Sequence, residues 1–535
     1  MTRWLVFIAV ALSLLISFLS ATGQVAVTTY HNDNYRSGVN AQETRLTPST
    51  VNEVQFGKRL VLPVEGYVYA QPLYVPGVTI NGVSHNVVYI ATEHDQVYAF
   101  DANYGSLLWQ KSFIGTAGRR RIETVPNQDV NCTDLVPEIG ITSTPVIDLG
   151  SKQIYVVAET KEIIGLNTIY YQRLHVLDIR TGTENLMGPY FAAPITARTL
   201  GTGAGSINGY LTFNPRLQIQ RSALTLANGN VFVGWAGHCD NPPYHGYLMG
   251  FNAATARPSG VLVTTPNTYD GGIWMGGAGP AVDSAGSLYV PTGNGFFDAN
   301  IGGADYGDSI IRVSWNGSFA TVSDYFTPWN QAILNYVDQD VASGGALLLP
   351  DQPGTPYPHL LLQIGKAGTI DLVNRDNMGH YNPSGDTQIV QTLPQAALWG
   401  IWGAPAMWNN TIYFGSFDAP LRAMVYDPVA QQIVNAYASA TPETFAYPGE
   451  IPSVSANGSS NGIVWIIETD NFQNNGSAIL RAYDATNLAK ELYNSTLNPA
   501  RDQAGPTVKF TVPTIADGMV FVGAQNEVDV YGLLQ

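Results

Sequence analysis

The sequence predicts an all-β protein built from a four-stranded unit repeated around an axis. Three observations carry that prediction: one segment recurs along the chain, the composition is rich in turn formers and poor in charge, and the two chain ends complete a single unit between them. The recurring segment is clearest at residues 86–109, NVVYIATEHDQVYAFDANYGSLLW. It reads as strand, loop, strand ending in Asp101, Gly turn and strand. The alternation in VYAFD fits a half-buried strand, and Asp101-Ala-Asn-Tyr-Gly105 supplies the turn. Echoes follow at LHVLDIRTG (174–182), YLMGFNAAT (247–255), DSIIRVSWNG (308–317), GTIDLVNRD (368–376), LRAMVYDPV (421–429), ILRAYDATN (479–487) and EVDVYGLLQ (527–535). Eight copies spaced roughly 50–75 residues apart are the signature of a radial β-repeat.

Taken in order, the first unit reads AQPLYV, NVVYIAT, QVYAFDA, LLWQKSF, and the second TPVIDL, QIYVVAE, LHVLDI with a weak fourth strand. The third reads SALTLA, NVFVGWA, YLMGFNA, VLVTTP, and the fourth GPAVDS, SLYVPTG, SIIRVSW, TVSDYF. Then come ALLLP, HLLLQIG, TIDLVN, QIVQTL; APAMW, TIYFGS, LRAMVYD, IVNAYA; and PSVSA, GIVWIIET, ILRAYDA, KELYN. The last set, FTVPTIA, MVFVGAQ, VDVYGLL, has three strands before Gln535, and FGKRLVLPV (56–64) is available as its fourth. Joining the ends in one unit removes exposed sheet edges. The expected architecture is an eight-bladed β-propeller of four-stranded antiparallel blades, closed by an N-terminal strand in the last blade. Seven blades with an irregular cap is the alternative.

Gly 54, Pro 32 and Tyr 29, with 12% charged residues, suit one turn-rich domain over residues 24–535. A net charge of −16 disfavours phosphate-backbone binding, so no nucleic-acid partner is expected. Arg119-Arg120-Arg121 reads as a solvated loop charge. The N-terminus has Arg3, an apolar run from Trp4 to Leu19 and then small residues, the pattern of a secretory signal peptide cleaved after Gly23. An uncleaved anchor is the other reading. No later stretch reaches the ~18 apolar residues of a membrane span. The expected product is a secreted monomer, or a periplasmic one in a bacterium. Export permits a disulfide between the only two cysteines, Cys132 and Cys239. Six Asn-x-Ser/Thr sequons, at Asn131, Asn316, Asn409, Asn457, Asn475 and Asn494, leave glycosylation and kingdom open.

Units whose third strand ends in Asp-x-x-x-Gly before a Trp, best seen in AFDANYGSLLW, resemble the propellers of the quinoprotein alcohol dehydrogenases, which bind pyrroloquinoline quinone (PQQ). The stretch GGIWMGGAGPAVDSAGSLYVPTGNG (271–295) is similar to the family segment in which an indole lies under the quinone and an Asn ligates calcium. That resemblance implies Trp274 as platform and Asn294 as metal ligand. A flat indole suits a flat cofactor, and an amide oxygen suits a hard cation. Blade packing by Trp274 and a plain turn at TGNG is the alternative. FTPWNQAILNYVDQD (326–340) stands where the family has its catalytic base. Thr327-Pro328 matches, the rest does not, and Asp338 or Asp340 is left to take the proton. Ile364-Gly-Lys366-Ala-Gly resembles the segment whose cation bonds the quinone oxygens. Trp402 in WGIWGAP and Gln71 in YAQP are further cofactor candidates by position.

Two departures follow. The family has adjacent cysteines over the quinone, whereas here the matching region, VNCTD, holds only Cys132. Cys239 lies in GWAGHCDNPPYHGY (234–247), where the family places a calcium-binding Glu. These two loops flank one pocket in the family, which implies a Cys132–Cys239 bridge across the axis. Asp240 is then the candidate to replace the missing Glu. His238, His245 and Asp240 could instead hold a transition metal or merely line the pocket, and Glu93-His94-Asp95 is a polar triplet on an equivalent loop. No Cys-x-x-Cys-His occurs, so attached haem is not expected.

Two functions compete. One is an exported PQQ- and Ca²⁺-dependent oxidoreductase acting on an alcohol or sugar. The other is a non-catalytic propeller that binds a glycan, peptide or protein through Trp274, Trp399, Trp402, Tyr244 and His245.

Overall fold

The computed structural model describes residues 25–185, 192–317 and 319–534. The signal peptide read at 1–23 lies outside the described residues. Runs of β-branched and aromatic residues become strands, and α-helix among the described residues is confined to Gln331–Tyr336 and Pro499–Asp502. Nine sheets result, eight of them with four to six strands. The first is typical: Leu73–Ile80, Val83–Thr92, Gln96–Asp101 and Leu107–Ser112 pair antiparallel in chain order. Gln96–Asp101 is buried at every position, while Leu107–Ser112 carries the exposed outer edge.

The repeated turn does more than reverse the chain. Asp101 Oδ1 accepts the N–H groups of Asn103 and Tyr104 at 2.9 and 3.1 Å. Trp109 then crosses to the next sheet, where its Nε1 donates to the Ile179 carbonyl at 2.9 Å, as does the Tyr89 hydroxyl. A Cβ on Gly182 would stand 2.5 Å from that indole, so the turn glycine of the second copy is the seat for the Trp of the first. The tyrosine-to-carbonyl bond recurs from Tyr155 to Ala253 at 2.9 Å and from Tyr413 to Ala485 at 2.7 Å. The repeat therefore joins neighbouring sheets.

The basic run departs from expectation. Arg120 and Arg121 are not in a loop but in the strand Arg120–Pro126, which pairs with Gln153–Ile164. The cause is Glu162, 1% exposed at its side chain, which draws Arg120 to 3.0 Å and Arg173 to 2.6 Å. Gln153–Ile164 and Asn167–Asp178 thereby form a longer hairpin than QIYVVAE and LHVLDI imply. Part of the weak fourth strand region falls at 186–191, outside the described residues. At the chain ends, Phe56–Tyr67 lies antiparallel to Gln525–Leu533.

The segment before Phe56 has no counterpart in the sequence reading. It visits the innermost strand of every large sheet in turn. Val27 exchanges backbone bonds with Tyr74, and the Thr28 carbonyl accepts from Ile147. Asn34 donates to the Leu226 carbonyl and accepts from Val282. The carbonyls of Tyr35, Ser37 and Gly38 accept from Leu348, Met407 and Val454. Asn40 finally donates to the Ile515 carbonyl at 3.1 Å. Arg36 anchors this lacing: fully buried, it donates to Thr29 Oγ1 at 2.8 Å and to the carbonyls of Tyr30, Gly279 and Pro280 at 2.9, 3.2 and 3.1 Å.

Removing that guanidinium strands several buried acceptors at once. Arg36→Met is expected to cost about 3 kcal/mol or more of unfolding free energy, read as a lower urea midpoint. Arg121→Ala, on a side chain 62% exposed, should stay within about 0.5 kcal/mol. Equal midpoints for wild type and Arg36→Met would contradict the anchoring role.

Candidate functional site

In an antiparallel meander, the loop before a sheet's first strand and the loop after its second strand lie at the same end. Loops of these two kinds enclose a cavity of about 620 Å³. Trp274, Asp240, Asp338, Asp340, Lys366 and Trp402 all line it, as does Cys239, which is bonded to Cys132 across 107 residues of chain. The bridge ties the loop before Val146–Asp148 to the loop after Asn230–Gly237. Asn294 stands directly behind the wall. Its backbone N–H donates to Asp340 Oδ1 at 2.8 Å and its Nδ2 to Asp338 Oδ1 at 2.6 Å, while its buried Oδ1 has no partner. Gln71 is not among the lining residues; its side-chain oxygen accepts the His31 N–H at 3.0 Å.

Two glycine pairs shape the floor. Gly271-Gly272 lets the chain pass under Thr264 and Thr265, and a Cβ on Gly272 would meet Trp274 Nε1 at 2.8 Å. After Trp274, a Cβ on Gly276 would strike the Gly403 nitrogen at 2.6 Å, and one on Gly277 the Arg221 guanidinium at 2.5 Å. The second pair thus admits Arg221 to the cavity, where it lies 4.9 Å from the Phe510 ring.

Charge is divided unevenly around this space. Lys366 Nζ bonds Asp338 Oδ1 at 2.9 Å and also bonds Asp340 Oδ2. Burial alone would lower its pKa, but Asp340 and Asp338 outweigh it and hold the ammonium above the ordinary lysine range. Of the two acids, Asp340 is buried and Asp338 is open, with 3% and 68% side-chain exposure. Asp240 accepts from the Tyr244 hydroxyl at 2.5 Å and is pushed up to about 6, first by burial of its carboxyl and then by Asp340. Much of Asp240 is open to solvent, which screens that effect. Asp270, half-buried, is the stronger case: burial first, then Asp240 and Asp340, push it up to about 7.

Sequence reasoning missed the opposite charges. Arg221 lines the cavity and is lowered by burial; its NH2 donates to the Gly276 carbonyl at 3.3 Å, and it forms no ion pair with a carboxylate among the described residues. Lys509, also lowered by burial, sits 5.0 to 5.7 Å from the rings of Phe510, Phe472 and Tyr447. Trp402 meets Phe417 and Tyr447 edge-on at 5.8 and 5.5 Å, extending the aromatic wall. A lone Arg or Lys between strands carries no sequence signal of burial. The Gly276-Gly277 pair is the trace that Arg221 leaves.

The histidines of the third unit serve elsewhere. His245 is bonded through both ring nitrogens to the carbonyls of Thr265 and Ala204, at 2.9 and 2.8 Å. His238 faces Glu159 at 3.9 Å. Among the described residues, one set of three His, Cys, Asp or Glu side chains brings its ligand atoms within 4.8 Å of one another: Cys132, Asp134 and Cys239. Its two sulfurs are already joined to each other.

No protein-family model and no curated protein sequence matches this chain. Solved structures match it in fold. A quinohemoprotein alcohol dehydrogenase from Pseudomonas putida HK5 is 14% identical with a TM-score of 0.60, covering 95% of this chain and 80% of its own. The quinohemoprotein alcohol dehydrogenase from Comamonas testosteroni is 15% identical with the same score and coverage. The fold is therefore that of the quinoprotein alcohol dehydrogenase β-propellers. At these identities the likeness is one of fold.

A carboxyl with a raised folded-state pKa binds its proton more readily in the native than in the unfolded chain. The native state then gains stability as pH falls from about 7 toward 4, and lacks that gain above 7. The melting temperature should accordingly rise between pH 7.5 and 5.5 by more in wild type than in Asp270→Asn. Parallel pH profiles for the two proteins would rule out Asp270 as the source.

Proposed function

We propose that this chain is an exported quinoprotein-like oxidoreductase that oxidises an alcohol or sugar in the axial cavity, with PQQ and calcium as cofactors and an external electron acceptor. In this reading residues 1–23 are a cleaved signal peptide. Residues 24–535 form one monomeric propeller of eight blades, closed by Phe56–Tyr67 in the last blade. Eight sheets of four to six strands, the terminal strand pairing and the successive contacts of Val27–Asn40 support that ring.

The observation that carries the reading is the meeting of Trp274, the Cys132–Cys239 bridge, Lys366 and Arg221 at one cavity. A flat polyanion fits this lining. The indole offers a face, the disulfide a second apolar surface, and Arg221 a buried charge in no ion pair among the described residues. The donor set also fits calcium, because Asn294 Oδ1 and Asp240 offer oxygen alone and the amide oxygen is buried without a partner among the described residues. Bound there, PQQ supplies the hydride acceptor and calcium polarises it.

The chain's own residues would divide the remaining work. Asp340, held by the Asn294 N–H and by Lys366, takes the substrate hydroxyl proton as general base. Lys366 offers its ammonium to oxygens that gain negative charge. Asp338, on the open side, keeps Lys366 and Asn294 in register through one shared oxygen. Trp402, Phe417 and Tyr447 provide an aromatic wall for the substrate's carbon skeleton.

Trp399, 64% exposed at the mouth of the same cavity, favours a second reading. The aromatic rim would then recognise a glycan, peptide or protein partner without catalysis.

Titration of the purified protein with PQQ and Ca²⁺ should give saturable quenching of indole fluorescence, followed by dye reduction with alcohols or sugars. Trp274→Ala and Lys366→Ala should each weaken binding about ten-fold or more, ~1.4 kcal/mol at least. Absence of binding at micromolar PQQ would sink the oxidoreductase reading and leave the recognition surface, to be probed with a glycan array.

A further inference from the structure

A second, smaller cavity of about 250 Å³ shares Gln339 and Asp340 with the axial one and otherwise has its own wall. It lies against the sheet that contains Leu360–Ile364, Ile370–Asn374 and Gln391–Leu393. In that sheet Gln363 stands directly opposite Asp371, and Asp371 directly opposite Thr392. Opposed residues of an antiparallel ladder point to one face, with Cβ atoms about 5 Å apart. The three therefore form a polar row across three strands, and all of them line the cavity. Trp329 and Leu334, from the segment after the strand Ala320–Thr327, complete the wall with Asp386 and Pro394.

The row offers acceptors without donors to meet them. Gln363 commits its amide hydrogens to the main chain, donating to the carbonyls of Val341 and Gly344 at 2.7 and 2.9 Å. Gln363 Oε1 and Asp371 Oδ1 are buried with no hydrogen-bond partner, and their side chains belong to residues 1% and 5% exposed. No Lys, Arg or His among the described residues lines this cavity, which excludes carboxylate and phosphate ligands. Burial pushes Asp371 up to about 7, so a positive charge entering the cavity would favour its ionised form at neutral pH.

Two unpaired acceptors on adjacent strands select the ligand group. Two oxygens do not make the shell of a metal ion. A hydroxyl brings one donor and no charge. A primary ammonium brings three donors and the positive charge that the wall lacks. We infer that this side cavity binds a small primary amine, its ammonium held by Asp371 Oδ1 and Gln363 Oε1 and its carbon chain lying against Trp329 and Leu334. Asp386, whose Oδ1 accepts the Trp329 N–H at 2.8 Å, steadies the segment that carries the indole and adds negative charge. An indole face also attracts a cation. The rival occupant is a proton on Asp371 bonded to Gln363, which would leave the cavity to water. The half-exposed indole and the volume in front of the row favour the amine.

Calorimetric titration of the full mature chain with n-butylamine tests this without reference to PQQ or catalysis. Saturable binding of one butylamine per chain is expected, with 1-butanol, which has the same length but one donor and no charge, weaker by about ten-fold or more. Asp371→Asn should weaken butylamine by a similar factor, and Trp329→Ala should weaken it to a lesser degree. Asp240→Asn, in the axial cavity, should leave the amine affinity unchanged. No saturable binding at millimolar butylamine, equal affinity for 1-butanol, or binding kept in Asp371→Asn overturns the site. Binding lost in Asp240→Asn but kept in Trp329→Ala would put the amine in the axial cavity and overturn it as well. Should Asp371→Asn fail to accumulate, the comparison with 1-butanol and the Trp329→Ala titration decide.

Discussion

The lacing of Val27–Asn40 across the inner strands is the constraint on which the other features depend. A sheet's first strand presents an unpaired edge, and such edges in the large sheets would leave many buried N–H and C=O groups without partners. The segment answers them one sheet at a time, with backbone oxygens for Ile147, Val282, Leu348, Met407 and Val454. Arg36 fixes its course with bonds to the segment itself and to Gly279 and Pro280 of the fourth sheet. Tyr30, in the same segment, packs in one hydrophobic cluster with Ile273 and Met275, which flank Trp274 in the chain. The inner lining and the cavity wall are thus mechanically continuous.

Around that hub, neighbouring sheets hold one another through the repeat. Trp109 on Gly182, Trp315 against Gly250 and Trp408 against Gly462 are three different contacts between neighbouring sheets, each an indole filling the space a side chain would need. Because the contact is local to each pair of sheets, the loops at one end are free to vary. The cavity uses that freedom. Its acids come from the loops at 134, 240 and 338–340, its cations from 221 and 366, and its aromatics from 274, 399, 402, 417, 447 and 510. Lys366 between Asp338 and Asp340 gives the acidic side an internal counter-charge, while Arg221 feels Glu93 only through space and forms no ion pair among the described residues. The space is therefore polarised, with an ion-paired side and an unpaired cationic side.

Much of this was legible in the chain. The strands, the Asp-x-x-x-Gly turns and the pairing partners within each unit follow from period-two patterning and turn chemistry, which act over a few residues. Trp274, Lys366, Trp402, Asp240, Asp338 and Asp340 were singled out by resemblance, and all six line one cavity. Gln71 was singled out in the same way and faces His31 instead. The arginine run is solvent-exposed as read, but Arg120 and Arg121 lie in a strand, because the buried Glu162 that draws Arg120 lies some forty residues on and a charge run says nothing about such a counter-ion.

By itself, then, the sequence determined the repeat, the β architecture and the identity of most loops around the axis, since those depend on local backbone preference and on motif order. Only the tertiary structure decided that Arg221 is a buried cation at the cavity, that Lys509 is buried among Phe510, Phe472 and Tyr447, and that residues 27–40 bind every large sheet. Each of these joins residues far apart in sequence, and their polar types look the same in a solvated loop as in a buried one. What distinguishes them is desolvation, a property of the packed molecule that no short window of sequence contains.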